Sequence, residues 1–184
     1  MADVYRGSER SGADMETEAT LNMYLYKTGR YTFSLPMALG VVLSGGSEKL
    51  VTDVERIGEQ MGVLFQIRDD EIGLFGETSD TGKPVGSDII EGKKTVYYTE
   101  LYSRADTELR ERLDDIYGNP EIGKNEIDLI RDRIESLGVR ERVEAIASEY
   151  AQNARALIEK LQTDSESYRG MLFDLLSYTM SRKK

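Results

Sequence analysis

The chain has 184 residues, 39% hydrophobic and 32% charged, with a net charge of −10 and neither cysteine nor histidine. That length suits one domain with a real core, and the balance of apolar and charged residues excludes a disordered chain. The absence of cysteine rules out disulfides and thiol chemistry without fixing a redox compartment, and the acidity argues against a nucleic-acid partner.

In chain order, residues 1–15 are polar and Gly/Ser-bearing, and they read as poorly ordered or as the end of a helix. The stretch MADVYRGSERSG has no apolar core and is not expected to be a signal peptide. From Glu16 the pattern LNMYLYKTGRYTFSLPMALGVVLSG is apolar enough for buried helix, with Pro36 kinking or dividing it. The apolar run Leu35 to Leu43 is far short of the ~20 residues of a membrane span. Gly45-Gly46 ends this unit, and Ser47 is placed to cap the next helix. The segment SEKLVTDVERIGEQMGVLFQIRDDEIGLF sets Leu50, Val54, Ile57, Met61, Leu64 and Ile67 at three- and four-residue steps. Its pattern predicts an amphipathic helix of roughly 28 residues, about 40 Å long. Residues 76–93 read as a loop because of their glycines and Pro84. Helical pattern resumes at Lys94 and carries through LYSRADTELRERLDDIYG. Asn119-Pro120 marks a turn. Helices are then expected over Asn125 to Leu137, closed by Gly138, over Val139 to Leu161 and over Tyr168 to Met180. No stretch alternates as a strand would, so the expected fold class is all-α.

The chemistry concentrates at the end of the long helix. Residues three and four apart share a helix face, so Gln66, Asp69, Asp70 and Gly73 cluster there. Two adjacent carboxylates stay ionised together only beside a cation or several donors. Without imidazole or thiolate the fitting metal is a hard one, Mg²⁺ or Mn²⁺, held by carboxylate oxygens and water and sharing its shell with substrate phosphates. Lys83 in TGKPVG and Lys93-Lys94 in EGKKT bring cationic donors among glycines. Lys27-Thr28 sets a further lysine beside a hydroxyl inside an apolar helix, where the lysine must snorkel outward or face a polar cavity. Together these describe a diphosphate site. Each feature also has a plainer reading: an Asp-Asp pair is more often solvated surface, a lone Gly-Lys is common in loops, and tyrosines and methionines at 23–37 are more often core.

In combination, KTGRYTFSLPMALG, FQIRDDEIGLFG and TGKPVGSDIIEGKKT, with the later YAQNARALIEKL and a terminal SRKK, resemble the trans-type polyprenyl diphosphate synthases. The resemblance runs from about Asp3 to the end, so residues 1–184 are expected to be the C-terminal part of such a synthase domain. It implies a partial isoprenoid-synthase helical bundle around an apolar cavity. It also implies a Mg²⁺-dependent prenyltransferase that condenses an allylic diphosphate with isopentenyl diphosphate. By the same resemblance Asp69 is the principal metal ligand with Asp70 assisting, and Lys27, Thr28 and Asp69 are the catalytic set. Lys27, Thr28, Gln66, Lys83 and Lys93 match positions that bind the allylic diphosphate, and Phe65 matches an aromatic beside the reacting tails.

Two departures stand out. Gly73 replaces the last aspartate of the DDxxD pattern, and the family's first aspartate-rich motif is expected to be missing from this chain. The chain is therefore expected to be inactive alone. It reads as a portion of a full synthase, as a subunit of a heteromer, or as a non-catalytic partner module of a complete synthase; a metal-free helical scaffold is the remaining reading. A half-bundle would expose apolar surface and favour a homo-oligomer or a partner chain. The expected location is cytoplasmic.

Overall fold

The computed structural model describes residues 17–76, 86–163 and 165–182. All regular structure among these residues is helical. In order, α1 spans Thr17–Tyr24, a π-helical stretch Leu25–Ser34, α2 Leu35–Leu43, α3 Glu48–Phe75 and the short α4 Ser87–Ile90. They are followed by α5 Val96–Arg104, α6 Thr107–Ile116, α7 Lys124–Ser136, α8 Val139–Lys160 and α9 Glu166–Ser181. No helix among the described residues is long and apolar enough to cross a membrane. The expectation of a poorly ordered or helix-ending segment at residues 1–15 falls outside the described residues.

The long helix forms as its pattern predicts, over 28 residues, and Ser47 caps it by accepting from the Leu50 N–H at 3.2 Å. Ahead of it, where Pro36 is expected to kink or divide the helix, the chain passes from a π-helical stretch to an α-helix. Pro36 stands at the start of α2, where its missing N–H costs little. Just before it the hydrogen bonds lengthen to the π register, so that the Leu35 N–H donates to Arg30 O. The segment expected to continue from Lys94 as one helix is two. The chain turns extended at Ala105 and Asp106, and the Asp106 carboxylate accepts from the Leu109 N–H at 2.8 Å to start α6. Within the stretch expected as loop, Ser87–Ile90 is a helical turn. Asn119-Pro120 turns as expected, with Asn119 Oδ1 accepting from the Glu121 N–H at 2.9 Å. Gly138 follows α7 in the left-handed conformation, which glycine adopts without strain.

The chain divides into two compact units. One comprises, of the described residues, 17–20 and those of Asp69–Glu144; the other comprises Leu21–Arg68 and Ala145–Arg182. In the first, Leu101 and Val96 of α5, Leu113 of α6 and Ile130 and Ile134 of α7 are fully buried. In the second, Val54, Ile57, Met61 and Leu64 form the buried face of α3, and Ala147, Ala154 and Ile158 that of α8. The segment expected to be buried at residues 21–45 is only partly so. Tyr24, Ala38 and Val41 are in the core, whereas Tyr31, Leu35, Leu39 and Leu43 recur every fourth residue and are exposed, Leu43 at 79%. Residues at this spacing share one helix face, so the apolar content splits into a core stripe and an outward stripe.

Candidate functional site

In the unit of Leu21–Arg68 and Ala145–Arg182, glycines bring two backbones together. A Cβ on Gly62 would lie 2.4 Å from Gly29 Cα, and one on Gly58 2.7 Å from Ser34 Cα. This approach seats the π-helical stretch against α3 with backbone meeting backbone at these glycines. Ser34 Oγ then donates to Glu55 O at 2.6 Å, and Thr28 Oγ1 donates to Gln66 Oε1 at 2.8 Å between two buried side chains 38 residues apart in sequence. Lys27, next to Thr28, is exposed. The register matters here, because π-helical turns are rare and concentrate at functional sites. Phe65 is half-buried; its ring lies 5.4 Å from that of Phe33, and the Arg182 guanidinium sits 3.9 Å over it.

In the other unit, Asp69 and Asp70 open the last two turns of α3. Adjacent helical residues point about 100° apart, and the two carboxylates differ accordingly: Asp69 is exposed and Asp70 is 5% exposed. One turn on, Gly73 lies under Asp88, whose carboxylate accepts from Lys93 Nζ at 2.7 Å. Lys93 also pairs with Glu91 at 2.9 Å. Burial disfavours the charged lysine, but its hydrogen bonds to Asp88 and Glu91 outweigh that and hold the Lys93 amine above its ordinary value. Lys94 behaves differently. Its ammonium lies 3.8 Å over the Tyr98 ring and 5.4 Å from the Tyr117 ring, and burial lowers its proton affinity against the pull of Asp114. Arg131 closes the helix end by donating from Nε and Nη2 to Leu74 O at 2.9 and 2.6 Å, where the last carbonyls and the dipole favour a cation.

The structure thus joins Thr28 to Gln66 in one unit, with Lys27 and Phe65 on the same two elements, and sets Asp69, Asp70 and Lys93 in the other. Lys83 lies outside the described residues. Among the described residues no group of three or more carboxylates converges as a closed metal cage. The donors that are present are oxygens, with an exposed carboxylate at Asp69. That suits Mg²⁺, which is typically bound through one or two carboxylates, waters and substrate phosphates. Two contributors are not expected from the sequence. Asp88 lies 15 positions beyond Gly73, and nothing in the pattern announces their contact. The Gly58-x-x-x-Gly62 spacing in IGEQMG is the local signal for the second, because small residues four apart allow close backbone approach.

Comparison with known proteins bears on these motifs. The polyprenyl synthetase family model matches residues 2–134. The short chain isoprenyl diphosphate synthase of Methanothermobacter thermautotrophicus is 30% identical over 167 residues, covering 89% of this chain and 50% of the relative. The geranylgeranyl diphosphate synthase of Saccharolobus solfataricus is 28% identical over 171 residues, covering 93% and 51%. Among solved structures, geranylgeranyl pyrophosphate synthase from Corynebacterium glutamicum, complexed with isoprenyl diphosphate and magnesium, superposes with a TM-score of 0.89 at 29% identity, over 99% of this chain and 50% of that one. The chain spans about half the length of the curated relatives it matches.

Proposed function

The chain belongs to the polyprenyl synthetase family, and from that premise we propose that it carries diphosphate- and Mg²⁺-binding residues of a prenyltransferase that joins an allylic diphosphate to isopentenyl diphosphate. The observation that supports this reading best is the Thr28–Gln66 hydrogen bond. It unites the KT and FQxxDD segments, two motifs that chain connectivity leaves far apart. A buried hydroxyl bonded to a buried amide oxygen fixes the rotamers of both.

In this reading Asp69 holds the metal with Asp70 assisting, and Lys27, Thr28, Gln66, Lys83 and Lys93 engage the allylic diphosphate. Bound Mg²⁺ would neutralise charge gathering on the leaving diphosphate. The protein's own part is to place ammonium groups and hydrogen-bond donors at the phosphate oxygens before reaction, and to offer apolar surface such as Phe65 to the hydrocarbon tail. Lysine acts here as a compact point charge with three donors. A cytoplasmic location fits such substrates.

Thermal unfolding in the presence of geranyl diphosphate tests the proposal. Ligand at about a hundred times its dissociation constant adds about 2.7 kcal/mol to stability, so Tm should rise when Mg²⁺ and geranyl diphosphate are both present. The rise should vanish in Asp69→Ala and in Lys83→Ala. An equal rise in Asp69→Ala would remove the assigned metal role.

A second reading, a partner module of a complete synthase, draws on the exposed row Tyr31, Leu35, Leu39 and Leu43. Exposed apolar stripes of this kind commonly mark association surfaces. Sedimentation of the chain mixed with a complete prenyl diphosphate synthase tests this reading: co-sedimentation supports it, and separate boundaries at micromolar concentration speak against it.

A further inference from the structure

Gly73 and Asp88 compete for one space. A Cβ added to Gly73 would meet Asp88 Oδ2 at 2.5 Å, Cγ at 3.0 Å and Oδ1 at 3.4 Å. The Asp88 side chain is 13% exposed, and its Oδ1 accepts from Lys93 Nζ at 2.7 Å. The turn that carries Asp88 has little freedom to retreat. Gly86 stands in the left-handed conformation with φ of 75°, and a Cβ there would meet Ile127 Cδ1 at 2.7 Å. Farther along, the Lys93 N–H donates to Asp88 O and the Gly118 N–H to Ile89 O, each at 2.9 Å. Asp88 is thus pinned from its backbone while its carboxylate rests on the bare Cα of Gly73.

We propose that Asp88 is the positioning residue for Lys93, and that glycine at position 73 is what admits it: a side chain at 73 and the Asp88–Lys93 pair exclude one another. The place an aspartate side chain would take at 73 is filled by Asp88, which reaches it from the next turn of chain and brings a lysine with it. Two of the three ammonium hydrogens of Lys93 face Asp88 and Glu91, leaving the third to turn toward an anion. Only that last step, the use of Lys93 on a diphosphate, rests on the proposed function; the exclusion between residue 73 and the pair stands on packing alone.

The test is a double-mutant cycle on the full chain: wild type, Gly73→Ala, Asp88→Ala and the double variant. Lys93 acetylation by an activated ester at pH 8 is followed by mass spectrometry, with exposed Lys124 as internal reference. Asp88→Ala should speed Lys93 acetylation about tenfold relative to Lys124, the change that a tenfold rise in free amine gives. Gly73→Ala should produce the same acceleration in the wild-type background and none in the Asp88→Ala background. If Gly73→Ala alone fails to fold, recovery of folding in the double variant supports the exclusion equally well, because it shows that Asp88 was the obstacle. Unchanged acetylation in Asp88→Ala, or equal effects of Gly73→Ala in both backgrounds, overturns the proposal. Binding of inorganic diphosphate with Mg²⁺ is read separately. Its absence in the wild type with the acetylation pattern intact would remove the substrate role and leave the positioning.

Discussion

Replacing Gly62 by alanine adds one methyl group where none fits. The new Cβ would stand 2.4 Å from Gly29 Cα and 2.9 Å from Gly29 N. Carbon atoms rest near 3.5–4.0 Å apart, so the π-helical stretch and α3 must part by about 1 Å or more. The obstacle is backbone, which cannot rotate aside as a side chain would. Overpacking of this kind costs about 1–3 kcal/mol. The same displacement stretches the Thr28–Gln66 bond beyond hydrogen-bonding reach, at a further cost of about 1 kcal/mol. Alanine's better helix propensity returns about 1 kcal/mol. The net expectation is a loss of about 2 kcal/mol, or a fall in Tm of about 4–8 °C for a chain of this size. Gly40→Ala is the control, because a Cβ there meets nothing within 4 Å; it should raise stability by about 0.5–1 kcal/mol. Thermal and urea denaturation of both variants decide the matter. A Gly62→Ala protein as stable as Gly40→Ala would refute close backbone contact as the reason Thr28 meets Gln66.

Other perturbations carry equally definite signs. Gln66→Leu leaves the buried Thr28 hydroxyl without its acceptor and should cost about 1–3 kcal/mol by urea denaturation. Arg131→Ala removes two donors from Leu74 O and should speed amide exchange selectively in the last turn of α3. The Tyr98 hydroxyl is buried with no hydrogen-bond partner among the described residues, so Tyr98→Phe should be neutral or stabilise by about 1 kcal/mol. The same phenol resists ionisation, first through burial and then through Asp114 and the neighbouring tyrosines, which raises it above its ordinary value of 10.0. A raised group contributes stability that is complete below its unfolded value and is lost as pH climbs toward the folded one. Wild-type stability should therefore decline above about pH 10, with a shallower decline in Tyr98→Phe, as measured by denaturation between about pH 8 and 11.

Much of the fold was legible because apolar spacing follows burial. The 28 residues of α3, the ends at Gly45-Gly46 and Gly138, and α8 and α9 all follow from periodicity and glycine chemistry. The break between α5 and α6 was not legible from spacing, since Leu101, Leu109 and Leu113 keep helical steps across it; the local signal was Asp106, a good cap within an otherwise helical pattern. The π register was hidden for a different reason. Hydrogen-bond register leaves no trace in which residues are apolar, and Pro36 announced a disturbance without saying which kind. At the candidate site the sequence pointed to the residue types but not to their partners. That Lys93 is held by Asp88, and that Asp88 rests on Gly73, depends on how α4 folds back on the end of α3, a contact made by the chain's path and not by any local pattern.

Ligand binding by the intact chain probes the proposed diphosphate site without intermediary. Isothermal titration with farnesyl diphosphate, run with and without Mg²⁺ and repeated on Asp69→Ala, measures it in one experiment. The expected result is saturable binding with Mg²⁺, much weaker binding without it, and loss in Asp69→Ala while the fold is retained. A folded wild-type chain that binds no farnesyl diphosphate with Mg²⁺ present, or that binds equally well without the metal, would contradict the assignment of Asp69 and its neighbours to a metal-bridged diphosphate.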